Sequence, residues 1–232
     1  MFNKEKLTEI YDFVEIGTAD FETLIQSCDD DALGLSIEAI DFYLERLPDR
    51  PRVTKLNAAM VDETAPSEMD VYYVPSEIVY ENNFGTWLKG CNSVGKPHDL
   101  HLTYYPDPKA WHEGGPMRWA PINLVERGYV KTKKVQTITF SKMITRFKIK
   151  RIKYLKTDTE GYDPKILNSM LDFYEQNNMV DLLPEQIYFE WNKHCDPDEL
   201  LQLEKRLISF KYEVGIKEPD DIHNRLATLK TK

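Results

Sequence analysis

Two acidic residues near the start of the sequence lie at the ends of short apolar runs. Glu15 falls within Tyr11–Ile16, and Glu38 follows Leu33–Ile37. At the carboxyl end of a parallel strand, a carboxylate can accept hydrogen bonds from the two hydroxyls of a ribose. Two acids at this edge disfavour an anionic phosphate and suit a ligand that carries a ribose and a cationic head group.

A glycine turn follows the first acid in the run VEIGTADF. Gly17 allows the backbone to approach a ligand closely. The pattern G-x-G-x-x-G, which accommodates a pyrophosphate, is absent from this turn. These features predict a cofactor without phosphates, such as S-adenosyl-L-methionine, held by Glu15, Gly17, Thr18, Ala19, Asp20, Glu38 and Ala39.

A second acidic motif, Lys156-x-Asp158-x-Glu160-Gly161, ends the apolar run Ile152–Thr157. Asp158 and Glu160 are two residues apart, so both point to one face if the strand continues. A carboxylate there could remove a proton from an acceptor hydroxyl, and both residues are catalytic candidates. A different interpretation stays open, in which the two acids hold a divalent ion on the nucleotide sugar of a glycosyltransferase.

Apolar runs that suit strands alternate with stretches that suit helices, and this alternation is typical of an α/β fold. The predicted strands are Tyr11–Ile16, Leu33–Ile37, Val53–Met60, Val135–Phe140, Ile152–Thr157 and Gln186–Trp191. The predicted helices are Asp20–Ser27, Ile40–Arg46, Ser141–Phe147, Pro164–Asn177 and Pro197–Ser209. We therefore expect a mostly parallel central sheet flanked by helices.

Residues 62–134 interrupt this alternation and are rich in Tyr, Trp, Pro, Gly, Asn and His. A long ordered insertion of this kind is typical of a binding loop. Its tryptophans, Trp87, Trp111 and Trp119, could stack on a sugar or lie buried in the loop. We expect the acceptor to contact Asn92, Ser93, His98 and His112 of the insertion, together with Lys156 and Glu190. His98 is also a candidate base, and no metal site is predicted.

Six runs of the chain together resemble the FkbM-type family of S-adenosylmethionine-dependent methyltransferases. They are VEIGTADF, SIEAI, LNAAMVDE, VQTITFSKMI, IKYLKTDTEGYDPKIL and IYFEWNKH, and they cover roughly residues 11–215. The resemblance implies a class I methyltransferase Rossmann-like fold in one domain, 1–232, with the insertion on the acceptor side. It also implies that Asp158 lines the methyl-transfer site and contacts the cofactor. Asn57 and Ala58 are expected to lie beside the adenine, because related folds place a polar group and a small residue at these positions.

The resemblance and the aromatic insertion together favour O-methylation of a sugar hydroxyl on a glycan or glycoconjugate. Two alternatives remain open besides the glycosyltransferase. One is methylation of nucleic acid through the segment 131–156, which has ten Lys or Arg and no Asp or Glu. The other is an inactive recognition module on the same fold. A glycosyltransferase partner is also left open.

Composition limits the class of protein. The net charge of −9 argues against a wholly basic coat for nucleic acid. Three widely spaced cysteines without a CxxC pair argue against a disulfide framework and a structural zinc site. The sequence lacks both an apolar run of the roughly 20 residues that cross a bilayer and an apolar signal core at its start. We therefore expect a cytoplasmic protein without a membrane span.

Overall fold

The computed structural model describes residues 4–105, 121–217 and 223–230. The chain divides into two compact units. The first consists of residues 1–68 and 136–232, and the second of residues 69–135. In the described residues the strands are, in chain order, β1 (Glu9–Ile16), β2 (Gly34–Glu38), β3 (Val53–Asn57), β4 (Ala59–Val61), β5 (Glu68–Tyr73), β6 (Ser93–Val94), β7 (Lys131–Thr139), β8 (Ile149–Thr157), β9 (Gln186–Glu190), β10 (Tyr212–Gly215) and β11 (Asn224–Leu229).

The helices of the described residues are α1 (Leu24–Ser27), α2 (Asp41–Arg46), α3 (Ser76–Glu81), α4 (Asp99–Leu102), α5 (Phe140–Arg146), α6 (Asp163–Gln176) and α7 (Pro197–Ser209). The helix α6 buries an apolar stripe because its apolar side chains recur at helical spacing, as in Ile166, Met170 and Tyr174. The helix α7 begins where the Asp196 carboxylate accepts the backbone N–H groups of Asp198 and Glu199.

The first unit is built on a seven-stranded sheet in the order β10-β11-β9-β8-β1-β2-β3. The five strands from β9 to β3 pair in parallel, whereas β11 and β10 are antiparallel to their neighbours. The central strands β1 and β8 are fully buried at Val14 and Leu155. The prediction of a Rossmann-like, mostly parallel sheet flanked by helices is confirmed.

Two of the predicted strands differ from the strands of the structure. The run Val53–Met60 is not one strand, because Ala58 separates β3 in the seven-stranded sheet from β4 outside it. At that point the side-chain amide of Asn57 donates to the carbonyl oxygens of Glu38 and Ala39, at 2.9 and 3.0 Å. These bonds close the end of the β2–β3 pair. The predicted strand Val135–Phe140 is the second half of β7, which pairs in parallel with β4 rather than with the larger sheet.

The chain leaves the first unit and returns to it at neighbouring positions. The backbone N–H of Thr137 donates to the carbonyl oxygen of Ser67 at 2.9 Å. One residue further out, the Gln136 side-chain amide donates to the Glu68 carboxylate at 2.5 Å. The two ends of the intervening segment are therefore held side by side.

The second unit has its own core, formed by Val74, Val79, Leu88, Cys91, Tyr104 and Leu124. Within this unit β5 pairs antiparallel with β6. Its surface carries large aromatic side chains: Tyr80 is 60% exposed, Trp87 48% and Tyr105 56%. The compact unit begins at residue 69, whereas the predicted insertion begins at residue 62. That both units act as one methyltransferase domain stays a prediction.

Among the described residues, no helix combines the length and the apolar character that crossing a membrane requires.

Candidate active site

The Glu38 carboxylate at the end of β2 holds the loop that follows β1. Its Oε2 atom accepts the backbone N–H groups of Thr18 and Ala19, at 3.0 and 2.8 Å. Its Oε1 atom accepts the N–H of Ile40 at 2.7 Å. Burial raises the pKa of Glu38, and these three amide donors act in the opposite direction. The sequence predicted Glu38 at this edge, but its hold on the first loop was not foreseen.

Gly17 brings the first loop into contact with the end of β8. Its φ is +78°, and a Cβ at this position would lie 1.9 Å from the carbonyl oxygen of Asp158. A backbone bond also joins the end of β1 to the end of β8, since the Asp158 N–H donates to the carbonyl oxygen of Ile16 at 2.9 Å. The Gly17 N–H donates to the carbonyl oxygen of Ile37 in β2, also at 2.9 Å. Only glycine fits this contact, so it fixes the distance between the two loops.

Glu15 is fully buried and engaged on both carboxylate oxygens. Lys156 Nζ lies 3.0 Å from Oε1, and the backbone N–H of Leu24 donates to Oε2 at 2.9 Å. Burial raises the pKa of Glu15, while the Lys156 ammonium counteracts this. Lys156 also donates to the carbonyl oxygen of Glu22 at 3.2 Å. In this structure the pair joins β1, β8 and the start of α1, and direct contacts of either residue with a ligand stay predictions.

Three carboxylates come together beyond the ends of β8 and β9. One oxygen from each of Asp158, Glu160 and Glu190 lies within 4.8 Å of the others. The strand ends at Thr157, and Glu160 has a φ of +54°, so the alternation of an extended strand does not continue to residue 160. The expected proximity of Asp158 and Glu160 is present, but a turn produces it.

The carboxyl group of Asp158 is packed by the surrounding chain, yet the residue as a whole keeps surface exposed to solvent. The chain packed around its carboxyl group removes water and raises the pKa of Asp158, and the negative charge of Glu160 adds to this. The residue nevertheless keeps exposed surface. Asp158 therefore offers surface that a ligand can reach, and this surface together with Glu160 and Glu190 is called the acidic recess. Glu190 is only 5% exposed, and burial together with the neighbouring acids Asp163, Glu160 and Asp158 raises its pKa.

The other predicted cofactor contacts surround the first two strand ends. Asp20 forms an ion pair with Arg46 at 3.0 Å. Asn57 lies opposite Glu38 in the β2–β3 register, and Ala58 is buried beside it. Ala39 follows Glu38 and accepts one of the Asn57 amide bonds. These residues lie around one edge of the sheet, and their contacts with the cofactor stay predictions.

The predicted acceptor contacts of the insertion hold the second unit together. The side-chain amide of Asn92 donates to the carbonyl oxygen of Lys89, and the Ser93 hydroxyl donates to the carbonyl oxygen of Lys96. His98 is 4% exposed, and its Nδ1 accepts the backbone N–H of Leu100 at the start of α4. Contacts of these three residues with an acceptor stay predictions. His112, Trp111 and Trp119 lie outside the described residues.

The comparison with protein families identifies the family of the chain. The model described as the methyltransferase FkbM domain matches residues 15–212. The chain belongs to the FkbM methyltransferase family. No curated protein matches the chain. FkbM methyltransferases depend on S-adenosylmethionine, which confirms the predicted cofactor. The match includes Asp158 and Glu160, so the glycosyltransferase interpretation of this pair gains no support.

The residues of this FkbM domain fit the cofactor chemically. Glu38 Oε2 accepts the N–H groups of Thr18 and Ala19 and, at 3.5 Å, the Thr18 hydroxyl, whereas Oε1 accepts the Ile40 N–H. Each carboxylate oxygen has about two acceptor positions, so one on Oε1 is left for a ribose hydroxyl. The acids around Asp158 suit the positive charge of a sulfonium. Asp163 is a residue of this site that the sequence interpretation missed. It is fully buried and accepts the N–H of Thr159 at 2.9 Å. The acidic spacing Asp158-x-Glu160-x-x-Asp163 was the available signal.

We expect Gly17→Ala to destabilise the protein by at least about 2 kcal/mol, because the left-handed φ alone costs an alanine about 1 to 2 kcal/mol. The Cβ must also displace the Asp158 carbonyl. Gly215→Ala is the matched control, since nothing lies within 4 Å of a Cβ there. Urea unfolding of both variants measures the difference, and equal losses of stability would contradict the contact.

We expect the Asp158 carboxyl to titrate above its ordinary pKa of 3.8. The Glu160 charge raises this pKa, so Glu160→Gln should move the Asp158 titration to lower pH. Carbon-detected NMR of the side chain follows the titration. The control is Glu45→Gln, a change at an exposed acid on α2. A titration of Asp158 that is the same in both variants contradicts the proximity of the two acids.

Proposed function

We propose that this FkbM methyltransferase transfers a methyl group from S-adenosylmethionine to a sugar hydroxyl of a glycan or glycoconjugate. The observation that carries the proposal is the cluster of Asp158, Glu160 and Glu190, which lies beside the Gly17 loop. A sugar hydroxyl is a weak acid, so its methylation needs a nearby base and close alignment of the two reactants.

Asp158 is the best-placed base in this proposal. The residue keeps exposed surface, and a raised pKa makes a carboxylate a stronger base than it is in water. The bound cofactor supplies an electrophilic methyl group on a sulfonium. His98 is a weaker candidate, because the Nδ1 that would take up a proton already accepts the Leu100 N–H. Glu160 keeps the recess negative, which favours the cationic cofactor.

Glu38 and the first loop would hold the ribose and the amino-acid part of the cofactor. The Glu38 carboxylate keeps Thr18 and Ala19 in place and retains an acceptor position for a hydroxyl. Ala19 has a φ of +45°, which turns the loop at this point. We assign binding of the adenine to Asn57 and Ala58, which lie at the same edge of the sheet as Glu38.

The second unit would recognise the acceptor. Tyr80, Trp87 and Tyr105 present exposed aromatic surface, and flat aromatic rings with polar edges suit the faces of sugars. The ammonium of Lys89 lies 5.8 Å from the centre of the Tyr80 ring, so this surface also carries a hydrogen-bond donor. The surface favours a carbohydrate over a small apolar acceptor.

Six of the ten basic residues in the segment 131–156 do not favour a nucleic-acid acceptor. Several cations of the segment 131–156 are paired with acids, in the pairs Lys134–Asp70, Arg151–Glu185, Lys153–Asp12 and Lys156–Glu15. The exposed cations Lys148 and Lys150 are at the start of β8. At about 3.3 Å per residue of strand they lie roughly 25 Å from Asp158. Phosphates bound there would not present a base to the recess.

Binding of S-adenosylhomocysteine and methylation of a sugar panel test the proposal together. We expect Glu38→Ala to weaken binding at least tenfold in calorimetry, a loss of about 1.4 kcal/mol, whereas the exposed acid variant Glu45→Ala binds as the wild type does. Asp158→Asn should lower turnover by about 10² to 10⁴, the usual contribution of a general base. Methylated products are identified by mass spectrometry and linkage analysis.

Failure to bind S-adenosylhomocysteine would overturn the cofactor assignment of these residues. Methylation of an RNA or an amine, with no product from any glycan, would overturn the sugar assignment. Unchanged turnover in Asp158→Asn would remove Asp158 as the base.

We expect Trp87→Ala to raise the KM for a sugar acceptor about tenfold or more, because loss of an aromatic stacking surface costs about 1 to 3 kcal/mol. Trp87→Phe retains a ring and should recover most of the affinity. Neither change should alter binding of S-adenosylhomocysteine. An unchanged KM in Trp87→Ala would exclude this surface from acceptor recognition.

A further inference from the structure

The turn that carries Asp158 and Glu160 is short, and its backbone is unusual. Glu160 and Gly161 have φ values of +54° and +95°, in the left-handed region that non-glycine residues seldom adopt. A Cβ at Gly161 would lie 2.5 Å from the carbonyl oxygen of His194. Such a backbone persists only when the surrounding structure holds it.

Two buried carboxyl groups provide this hold, one on each side of Glu160. The Asp163 Oδ2 atom accepts both the backbone N–H and the hydroxyl of Thr159, at 2.9 and 2.5 Å. The Glu190 Oε2 atom accepts the backbone N–H of Gly161 at 2.8 Å. Thus the residues before and after Glu160 each donate to a different carboxyl group.

The two carboxyl groups are themselves tied together. The backbone N–H of Glu190 donates to Asp163 Oδ1 at 3.3 Å, and the Asn192 side-chain amide donates to Glu190 Oε1. Asp163 is fully buried and Glu190 is 5% exposed, so neither has bulk water as an alternative partner. Asp163 opens α6, where the helix dipole favours a negative charge.

We infer that Asp163 and Glu190 are positioning residues that fix the turn from Asp158 to Gly161 for methyl transfer. The inference deepens the proposed function and rests on it for the role of Asp158. It also changes the interpretation of Glu190, from a residue that contacts the acceptor to one that holds the turn. Asp163 acts from α6 on one side and Glu190 from β9 on the other.

The two carboxyl groups differ in how an amide substitution would affect their hydrogen bonds. Burial and the neighbouring acids raise the pKa of Glu190, which favours its neutral form. A glutamine resembles a neutral glutamic acid and keeps an acceptor for the Gly161 N–H. Glu190 also accepts on both oxygens, but the donor to its Oε1 is the side-chain amide of Asn192, which can turn its own oxygen toward a glutamine NH₂. An asparagine at position 163 places its NH₂ group against a backbone N–H that cannot turn, because each oxygen of Asp163 accepts a backbone donor. We therefore expect the amide variant to be tolerated better at position 190 than at position 163.

Amide hydrogen exchange in the full chain with S-adenosylhomocysteine tests the inference. In Glu190→Ala the Gly161 amide should exchange about tenfold faster or more, the effect of losing one hydrogen bond to a carboxyl group, whereas Glu190→Gln should restore most of its protection. In Asp163→Asn the Thr159 amide should lose protection and the Asp158 carboxyl should titrate at a different pH. Leu203→Ala, a core change in α7, controls for a general loss of stability.

Unchanged protection of Gly161 in Glu190→Ala overturns the inference, as does equal loss at both amides in Leu203→Ala. Failure of Glu190→Gln to restore protection of the Gly161 amide also overturns it, because the conformation of the turn would then not depend on a hydrogen-bond acceptor at position 190. If the turn loosens as expected while Asp158→Asn keeps full turnover, the hold on the turn stands and the proposed role of Asp158 falls.

Discussion

A carboxyl group taken out of water must find other hydrogen-bond donors, and in this protein those donors are the backbone N–H groups of loops. Glu38 takes three of them, Asp163 takes two, and Glu190 takes one. An unsatisfied buried carboxylate would cost several kcal/mol, so each acid restricts the loop that serves it. The loops at the carboxyl edge of the sheet owe their shapes to this requirement more than to apolar packing.

The need of buried carboxyl groups for hydrogen-bond donors also connects the loop after β1 with the end of β8. Glu38 fixes the loop after β1, and that loop touches the end of β8 at Gly17 and Asp158, where a side chain of any size would separate them. The ion pair between Glu15 and Lys156 joins the same two strands from within the sheet. The loop after β1 and the acidic recess are therefore joined through backbone contacts at Gly17 and Asp158.

The regular parts of the fold were predictable because they depend on periodicity. The apolar spacing in α6 and the apolar runs of β1, β2 and β8 are visible in the sequence. The course of Val53–Met60 was not, since a side-chain bond from Asn57 and the pairing of β4 with β7 decide it. The antiparallel strands β10 and β11 were missed because their short runs contain many charged and polar residues.

The candidate site was predictable to the level of residue type. The acids Glu38, Asp158 and Glu160 could be named because each follows an apolar run. Their partners could not, because a hydrogen bond from Gly161 to Glu190 joins residues 29 positions apart. The hydrogen bond that His98 accepts at the start of α4 could not be read from the sequence either, and its role toward an acceptor stays a prediction.

The side-by-side ends of the segment between Glu68 and Gln136 bear on how such a protein can diversify. A segment that leaves and re-enters a scaffold through adjacent strands can be lengthened, shortened or exchanged without altering the register of the seven-stranded sheet. Under the proposed function, selection on the acceptor could then act on this segment while the sheet edge assigned to the cofactor stays the same. New specificities would arise here by replacement of a cassette rather than by gradual repacking of a core.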